Sequence, residues 1–407
     1  MMFYHRIIPA ALLMCVLGSF SAYTFNMIPR LTRLDPASAS MSKNTKIMSI
    51  SQAWEKEVGK ESAWIVSLCC FLTPLGTALT FSIVLGDMLS MLAKSIGLRG
   101  IMASRQALLL AITTSTLYPL CNLKSLAALS PVSMVGVAGM GLTALFMVLR
   151  ALPISPYFAA VSQSPFLQSI PVSSRPSFGA IGNNALSPSI LVLVSMCATS
   201  LLVHFSAHDF CDDLENNTPQ RFRKLTSMGF SLTVLMNVII MGAGFLTFGG
   251  ACQSMVLNNY SPSDFGATVS RFIVAVSLVG SYPIIFRAIK SSLFELTHKG
   301  KQVSDKFNKF ATMSILGFLT SVALVLKDAG VVVSLNGAVM GSAIIYAFPS
   351  IIFLKLTSRL LSEGNIEKTK KLMVERFANK CLIGSGSLIA VCGASVILLN
   401  KFKPGFL

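Results

Sequence analysis

The sequence predicts an all-α polytopic membrane protein. Charged residues make up 12% of the 407 residues and hydrophobic residues 53%, whereas soluble domains carry roughly 25% charged residues. The mean hydropathy is +0.69. Apolar windows recur along the whole chain, with no pattern of alternating ten-residue strands and no segment that resembles a soluble catalytic domain.

A bilayer core about 30 Å thick needs roughly 20 apolar residues per helix. Windows of that kind predict ten transmembrane helices within one transmembrane domain that covers residues 1–407. The predicted spans are 8–28, 65–93, 107–122, 129–149, 188–206, 228–249, 266–286, 310–326, 331–354 and 381–399. The largest segments between them, 29–64 and 150–187, are polar or rich in Pro and Ser and are predicted to be loops.

The distribution of basic residues predicts the orientation of these spans. If the first span runs inward, 23 of the 33 Lys and Arg residues lie on the inner side, which the positive-inside rule makes cytosolic. Both termini are then non-cytosolic. The net charge of +17 is explained by this orientation, because no basic stripe interleaved with aromatic residues points to a nucleic-acid partner.

A non-cytosolic amino terminus without a preceding span is unusual in a polytopic protein, and it suggests that an upstream segment is missing. The alternative is that residues 1–28 form a cleaved signal peptide. Ser21-Ala22-Tyr23 is an indifferent cleavage site, and only His5 and Arg6 precede an apolar run that is longer than usual.

Three ionisable residues lie inside the predicted spans, where charge is costly: Asp87, His204 and Arg271. Asp87 and Arg271 are each five or six residues from the outer end of a span, roughly 8–9 Å deep, and are a possible intramembrane pair. The alternative is that Arg271 snorkels and Asp87 faces water.

Two groups of hydroxyl residues are candidate ligand sites. Ser195, Thr199 and Ser200 precede His204 and are candidate substrate-binding residues, although small residues also serve tight helix packing. Ser277 and Ser281 precede Pro283, which frees the carbonyl of the residue four positions earlier and offers oxygen ligands to a sodium ion. The alternative for this second group is an ordinary proline kink.

The absence of several well-known motifs argues against several classes of function. No sequence pattern of a hydrolase, a phosphate-binding loop or a metal site is present, so the chain is predicted not to be an enzyme and to need no cofactor or metal beyond a coupling ion. The nine cysteines have neither metal nor disulfide spacing. Asn259-Tyr260-Ser261 is a glycosylation sequon on the predicted outer side.

Several short stretches, in order, resemble the amino acid/auxin permease family, and most closely its sodium-coupled neutral amino acid transporters and vacuolar amino acid transporters. Their order and spacing over about residues 60–290 carry the resemblance. The stretches are Ser62–Trp64, Phe81–Asp87, Tyr118–Leu126, Phe205–His208, Gly244–Gly249, Asn258–Ser261, Arg271 and Tyr282–Pro283.

The resemblance implies an inverted-repeat transporter fold. Members of the family have eleven helices, arranged as two inverted repeats of five plus one, and bind an amino acid between the broken first and sixth helices. The first span here is similar to the family's second helix, so the first helix is apparently absent. The stretch from Ser195 to His204 is then similar to the broken sixth helix, and Ser277 and Ser281 lie where the eighth helix helps to bind sodium.

The function implied is secondary active transport of an amino acid, coupled to sodium ions or protons, at a plasma membrane or a vacuolar or lysosomal membrane. The alternative is a transport-incompetent paralogue or truncated gene product that acts as a membrane sensor or scaffold. The partners expected are an amino acid and the lipid bilayer. The sequence leaves open the amino acid, the ion and the oligomeric state.

The charge distribution generates a topology prediction. We expect the loops 288–309 and 355–380 to be cytosolic and both termini to be non-cytosolic, because this arrangement puts most Lys and Arg residues inside. Labelling of single cysteines in these loops, before and after permeabilisation of intact cells, measures their side. A carboxyl terminus that is labelled only after permeabilisation would contradict the assignment.

Overall fold

In the computed structural model, residues 4–34, 47–123, 130–160, 163–178, 190–298 and 304–402 are described. They are predominantly helical, and no strand occurs in these ranges; a single isolated bridge joins Ser177 and Gly249. Within the described ranges, eight helices are long and apolar enough to cross a membrane, and a shorter apolar helix covers Met134–Arg150. The fold class predicted from the sequence, an all-α polytopic membrane protein, is confirmed.

Most helices are continuous α-helices. They are α1 (Tyr4–Leu34), α2 (Ile50–Glu57), α3 (Ala63–Ser95), α5 (Ser130–Arg150), α6 (Pro165–Ser169), α7 (Ile190–Ser200), α8 (Ala207–Asp212), α9 (Pro219–Phe248), α10 (Phe265–His298) and α11 (Asp305–Val325).

Three further helices contain π-helical stretches, in which the hydrogen bonds skip one residue more than in an α-helix. Helix α4 covers 105–121 with a π segment at Thr113–Leu117, α12 covers Ala329–Ser362 with one at Asn336–Ala347, and α13 covers Lys370–Phe402 with one at Ile389–Gly393.

Several helices extend past the apolar windows, because helical hydrogen bonding does not require apolar side chains. Helix α9 begins nine residues before the predicted span 228–249, at a Thr-Pro pair. The Thr218 hydroxyl accepts from the Arg221 amide at 3.2 Å, and Pro219 occupies the first turn, where no amide partner is needed. Ten spans remain a prediction; α4, which matches the predicted span 107–122, is not among the eight long helices.

Helix α2 lies inside the segment 29–64, for which the sequence predicted a polar loop. Ser49 and Gln52 form a reciprocal capping box at its start, and Ile50 and Ala53 are buried. Glu57 at its end accepts two hydrogen bonds from Arg359 of α12, at 2.8 and 3.2 Å. The helix is therefore held by apolar packing at one end and by an ion pair at the other.

Two hydrophobic cores organise the described helices. The first core joins α1, α7 and α12, and includes Phe25, Ala198 and Ile344, all at most 5% exposed. The second core joins the later part of α3 with α4, α10 and α11, and includes Leu85 and Leu319. Helix α3 contributes to both, since Val66 and Cys70 belong to the first core.

Helix α7 stops at Ser200, residues 201–203 are not helical, and a short 3₁₀ turn at His204–Ser206 leads into α8. The π segments of α12 and α13 both pack against α7 near Ser195. A β-carbon at Gly393 would lie 3.0 Å from the Ser195 hydroxyl, and one at Gly337 would overlap the Ser195 carbonyl oxygen. The absence of side chains at these two glycines lets the three helices approach closely.

This close approach predicts that one of two neighbouring alanine substitutions destabilises the protein and that the other has little effect. Gly337→Ala should destabilise the protein by about 1–3 kcal/mol, because the new methyl group overlaps backbone that can move only if α7 and α12 separate. Gly341→Ala is the matched control, since its methyl group would meet Ala198 at an ordinary 3.5 Å. Thermal unfolding of the purified proteins in detergent measures the difference. Equal melting temperatures for the two variants would contradict the packing described.

Candidate functional site

The break between α7 and α8 places His204 against α1. The imidazole is fully buried, and its Nε2 lies 3.0 Å from the Ser21 carbonyl oxygen and 3.0 Å from the Thr24 hydroxyl oxygen. A carbonyl oxygen can only accept, so Nε2 carries the hydrogen and Nδ1 presents a lone pair. The Thr24 hydroxyl in turn donates to the Phe20 carbonyl at 3.0 Å.

Aromatic rings enclose this imidazole. The rings of Phe25 and Phe230 stand edge-on to it, with centroids 5.4 and 6.2 Å away. Phe25 also stacks on Phe222 with an interplanar angle of 8°. His204 is therefore a polar group inside an otherwise apolar part of the first core, and its orientation is set by the two contacts of Nε2.

Three buried polar atoms beside the break have no hydrogen-bond partner among the described residues: His204 Nδ1, the Ser21 hydroxyl and the Tyr346 hydroxyl. All three residues are at most 2% exposed. The Ser21 and Tyr346 hydroxyls face each other between α1 and α12 without reaching hydrogen-bond geometry. An unsatisfied buried group costs about 1–3 kcal/mol, so these three atoms are candidates to bind a ligand or an ordered water. We call Ser21, Thr24, His204 and Tyr346 the His204 cluster.

The other three predicted substrate residues have partners within their own surroundings. Ser195 donates to the Leu191 carbonyl at 2.7 Å and Ser200 to the Cys197 carbonyl at 2.8 Å, both within α7. Thr199 donates to the Val333 carbonyl of α12 at 2.6 Å. All three hydroxyls donate to backbone carbonyls, and that of Thr199 also joins α7 to α12, so their contacts fit the packing alternative. Of the four predicted residues, only His204 has a polar atom without a partner among the described residues.

The predicted ion residues Ser277 and Ser281 lie on α10, in the stretch whose Leu278 and Tyr282 pack in the second core. Ser277 faces α5 so closely that a β-carbon at Gly136 would lie 2.6 Å from its hydroxyl oxygen. Helix α10 continues through Pro283 without a break. The structure thus places the predicted substrate and ion residues beside different cores.

The predicted pair between Asp87 and Arg271 is wrong. Asp87 instead pairs with Arg105 of α4, whose Nε donates to Oδ1 at 2.6 Å. A terminal nitrogen of the same guanidinium donates to the Ala323 carbonyl of α11 at 2.7 Å. Arg105 precedes the predicted span 107–122 by two residues and was therefore not counted among the intramembrane charges.

Arg271 is fully buried and bonded to backbone rather than to a carboxylate. It donates to the carbonyls of Leu257 and Tyr260, at 2.8 and 2.6 Å, and more weakly to that of Ser261 at 3.3 Å. These carbonyls belong to the segment between α9 and α10. The arginine therefore holds this connecting segment against α10, and neither snorkelling nor pairing with Asp87 describes it.

The same connecting segment carries a buried ion pair. Asp264, fully buried, accepts from Arg150 at 2.8 Å and from the Tyr157 hydroxyl at 3.3 Å. Burial raises the pKa of the Tyr157 hydroxyl, which therefore keeps its proton. The Tyr157 oxygen also accepts from the Ser261 amide at 2.9 Å. These contacts join the segment after α5 to the segment before α10.

The predicted glycosylation at Asn259 is contradicted by the structure. Its side chain is fully buried, and Nδ2 donates to the carbonyls of Ser174 and Ala251, at 3.2 and 2.8 Å. Its Oδ1 accepts from the Gln253 amide at 2.9 Å. A glycan attached to Nδ2 has no space in this packing. The sequon reflects a structural asparagine that links two connecting segments.

Sequence reasoning missed Ser21, Thr24 and Tyr346. Ser21 and Thr24 are three residues apart and so share one face of α1, which was a usable signal. Tyr346 is a lone hydroxyl-bearing aromatic residue within an apolar run and gave none. What makes these residues a cluster is contact between distant segments: Ser21 and Thr24 contact His204, 183 and 180 residues away in the chain, and Tyr346 contacts Ser21.

A family model described as "Transmembrane amino acid transporter protein" matches residues 7–399. The chain is 25% identical over 303 residues to "Putative sodium-coupled neutral amino acid transporter 11" of Danio rerio, which covers 74% of this chain and 64% of the relative.

More distant similarities point to the same family. The chain is 22% identical over 341 residues to "Amino acid transporter AVT6E" of Arabidopsis thaliana, covering 80% of this chain and 67% of the relative. It is 20% identical over 363 residues to "Vacuolar amino acid transporter 2" of Saccharomyces cerevisiae, covering 85% and 70%. The matches thus span about two thirds of the length of these relatives.

Proposed function

Because the chain belongs to the transmembrane amino acid transporter protein family, we propose that it carries an amino acid across its membrane by secondary active transport. It is an integral protein of the plasma membrane or of the vacuolar or lysosomal membrane. Transport in this mechanism needs no covalent chemistry, since one part of the protein moves against another around a bound substrate.

The observation that carries this proposal is the set of unsatisfied polar atoms in the His204 cluster. An amino acid presents a carboxylate, which accepts hydrogen bonds, and an ammonium group, which donates them. The Ser21 and Tyr346 hydroxyls can donate to the carboxylate, and His204 Nδ1 can accept from the ammonium group. The cluster contains no carboxylate, Lys or Arg, so it suits an amino acid whose own charges cancel.

The burial of the cluster supports movement as part of the cycle. Ser21, His204 and Tyr346 are at most 2% exposed, so an amino acid reaches them only when α1, α7 and α12 separate. The break at 201–203 lets α8 change its angle to α7 without stretching helical hydrogen bonds. Separation of α1 from α7 and α12 within the first core would open the cluster to one side at a time.

Either sodium or a proton could be the coupling ion, and the two would use different residues. Sodium would use Ser277, Ser281 and the Val279 carbonyl, which lacks its helical partner because Pro283 has no amide hydrogen. A proton would instead use the lone pair on His204 Nδ1, which belongs to the substrate cluster itself. Sodium coupling therefore involves both cores, whereas proton coupling involves only the first.

Uptake into liposomes tests the proposal and distinguishes the ions. Purified protein should accumulate labelled alanine, in a saturable manner, under either an inward sodium gradient or an inward proton gradient, and should discriminate against lysine and glutamate. Accumulation driven by only one gradient identifies the ion. Saturable binding of alanine without uptake under either gradient would contradict transport and favour the sensor or scaffold alternative; absence of both binding and uptake would also contradict the proposal.

Substitution of individual hydroxyls distinguishes substrate binding by the His204 cluster from a role in packing. Tyr346→Phe and Ser21→Ala should raise the KM for alanine about tenfold or more, because a hydrogen bond to a charged group contributes about 1.5–3 kcal/mol. The amount of folded protein should change little, since the contact between the two hydroxyls falls short of hydrogen-bond geometry.

Thr199→Val is the matched control for these substitutions. It removes a hydroxyl that donates to Val333, so it should lower the melting temperature while the KM of the remaining folded protein stays close to that of the unsubstituted chain. Uptake kinetics and thermal unfolding are measured on the same preparations. An unchanged KM in both Tyr346→Phe and Ser21→Ala would place the substrate elsewhere.

A further inference from the structure

An open groove of about 1260 Å³ runs between α1, the start of α9 and α13. Its walls are mostly apolar, and two of its large side chains are well exposed, Phe20 at 44% and Val374 at 61%. It lies outside the His204 cluster, none of whose members line it. The groove is therefore a feature of the protein surface that is separate from the His204 cluster.

A polar bridge across the groove holds α1 and α13 at a set separation. Glu375 of α13 accepts from the Tyr23 hydroxyl at 3.1 Å and from Arg30 at 3.1 Å, both of α1. Asn379 donates to the Tyr23 oxygen at 2.8 Å. Since both helices supply side chains to this network, the groove is a built part of the fold and not a gap between loosely packed helices.

Positive charge collects at one end of the groove. Arg30, Arg33, Arg223 and Lys371 line that end, against one carboxylate, Glu375, which Arg30 already neutralises. Arg33 donates to the neutral Asn217 side chain at 2.8 Å. Within the part of the chain that the structure describes, Arg223 and Lys371 have no acidic partner. The excess charge at this end is therefore unbalanced.

The groove has the length of one lipid leaflet. Its lining extends from Ser19 to Leu34 on α1 and from Lys371 to Ser385 on α13, about 22 and 21 Å at 1.5 Å per residue. Half of the hydrocarbon core is about 15 Å, which leaves room for a headgroup. The topology predicted from the sequence puts the cationic end at the cytosolic leaflet, where anionic lipids are found.

From this charge complementarity we propose that the groove binds an anionic phospholipid of the cytosolic leaflet. Arg33, Arg223 and Lys371 surround its phosphate, and an acyl chain lies along Phe20 and Val374. A free anion would use only the cationic end and leave the apolar walls without a role. A second copy of the chain, docked symmetrically on the same groove, would bring the two cationic ends together and is disfavoured by repulsion.

Binding of a fluorescent phosphatidylserine to the purified full-length chain in neutral detergent tests the proposal. The variant Arg223→Gln with Lys371→Gln should bind it roughly 25-fold more weakly, since each cation near an anionic surface is worth about fivefold in affinity. Arg221→Gln with Lys370→Gln is the matched control, because it removes the same charge from the same helices at exposed positions outside the groove. The control should bind as the unsubstituted chain does.

A second variant tests the apolar part of the groove. Cys381→Trp fills it between the helices and should weaken phosphatidylserine binding without any change of charge. Both variants are compared by thermal unfolding, so that a loss of folded protein is recognised. Phosphatidylcholine that binds as tightly as phosphatidylserine, equal weakening in the groove and control variants, or displacement of the lipid by millimolar inorganic phosphate would overturn the proposal.

Discussion

A membrane-spanning chain can depart from regular helix only where protein, not lipid, surrounds the irregular backbone, because lipid offers no partner to a free amide or carbonyl. Three departures come together here around Ser195: the break at 201–203 and the π segments Asn336–Ala347 and Ile389–Gly393. Gly337 and Gly393 allow this contact, since a side chain at the first would overlap the Ser195 carbonyl. The rest of the first core is arranged so that these irregular segments cover one another.

This arrangement separates two kinds of buried hydroxyl. The Thr199 hydroxyl satisfies a carbonyl of the facing helix and so stabilises the contact between α7 and α12. The Ser21 and Tyr346 hydroxyls approach each other without reaching hydrogen-bond geometry, so both are poorly satisfied where they lie. A fold keeps such groups when something other than stability depends on them. The distinction between the candidate ligand site and packing therefore follows from hydrogen-bond partners, and not from the presence of a hydroxyl inside an apolar span.

Unlike these neutral polar groups, the buried charged groups have hydrogen-bond partners of their own. Asp87, Arg271 and Asp264 are each compensated locally, by Arg105, by backbone carbonyls and by Arg150 respectively. Compensation of this kind makes a buried charge a strong tie between elements, since the removal of one partner leaves the other unpaired. The charged contacts thus fix helices and connecting segments, while the candidate substrate cluster is left uncharged. The basic end of the groove at α1 is the exception.

The sequence by itself determined the fold class, the approximate course of the long helices and the unusual character of the stretch from Ser195 to His204. These properties depend on hydropathy and on residues close together in the chain. The inclusion of His204 in a polar site also followed from a local fact, the cost of an ionisable residue inside an apolar span.

Only the tertiary structure decided which partners each polar group has. Arg105 rather than Arg271 meets Asp87, and Asn259 is buried between two segments instead of exposed. Ser21 and Thr24 contact His204, while Ser195 and Thr199 bond to backbone carbonyls. The physical reason is that a hydrogen bond depends on positions within a few tenths of an ångström. Those positions result from packing between helices that are far apart in sequence, which no local pattern specifies.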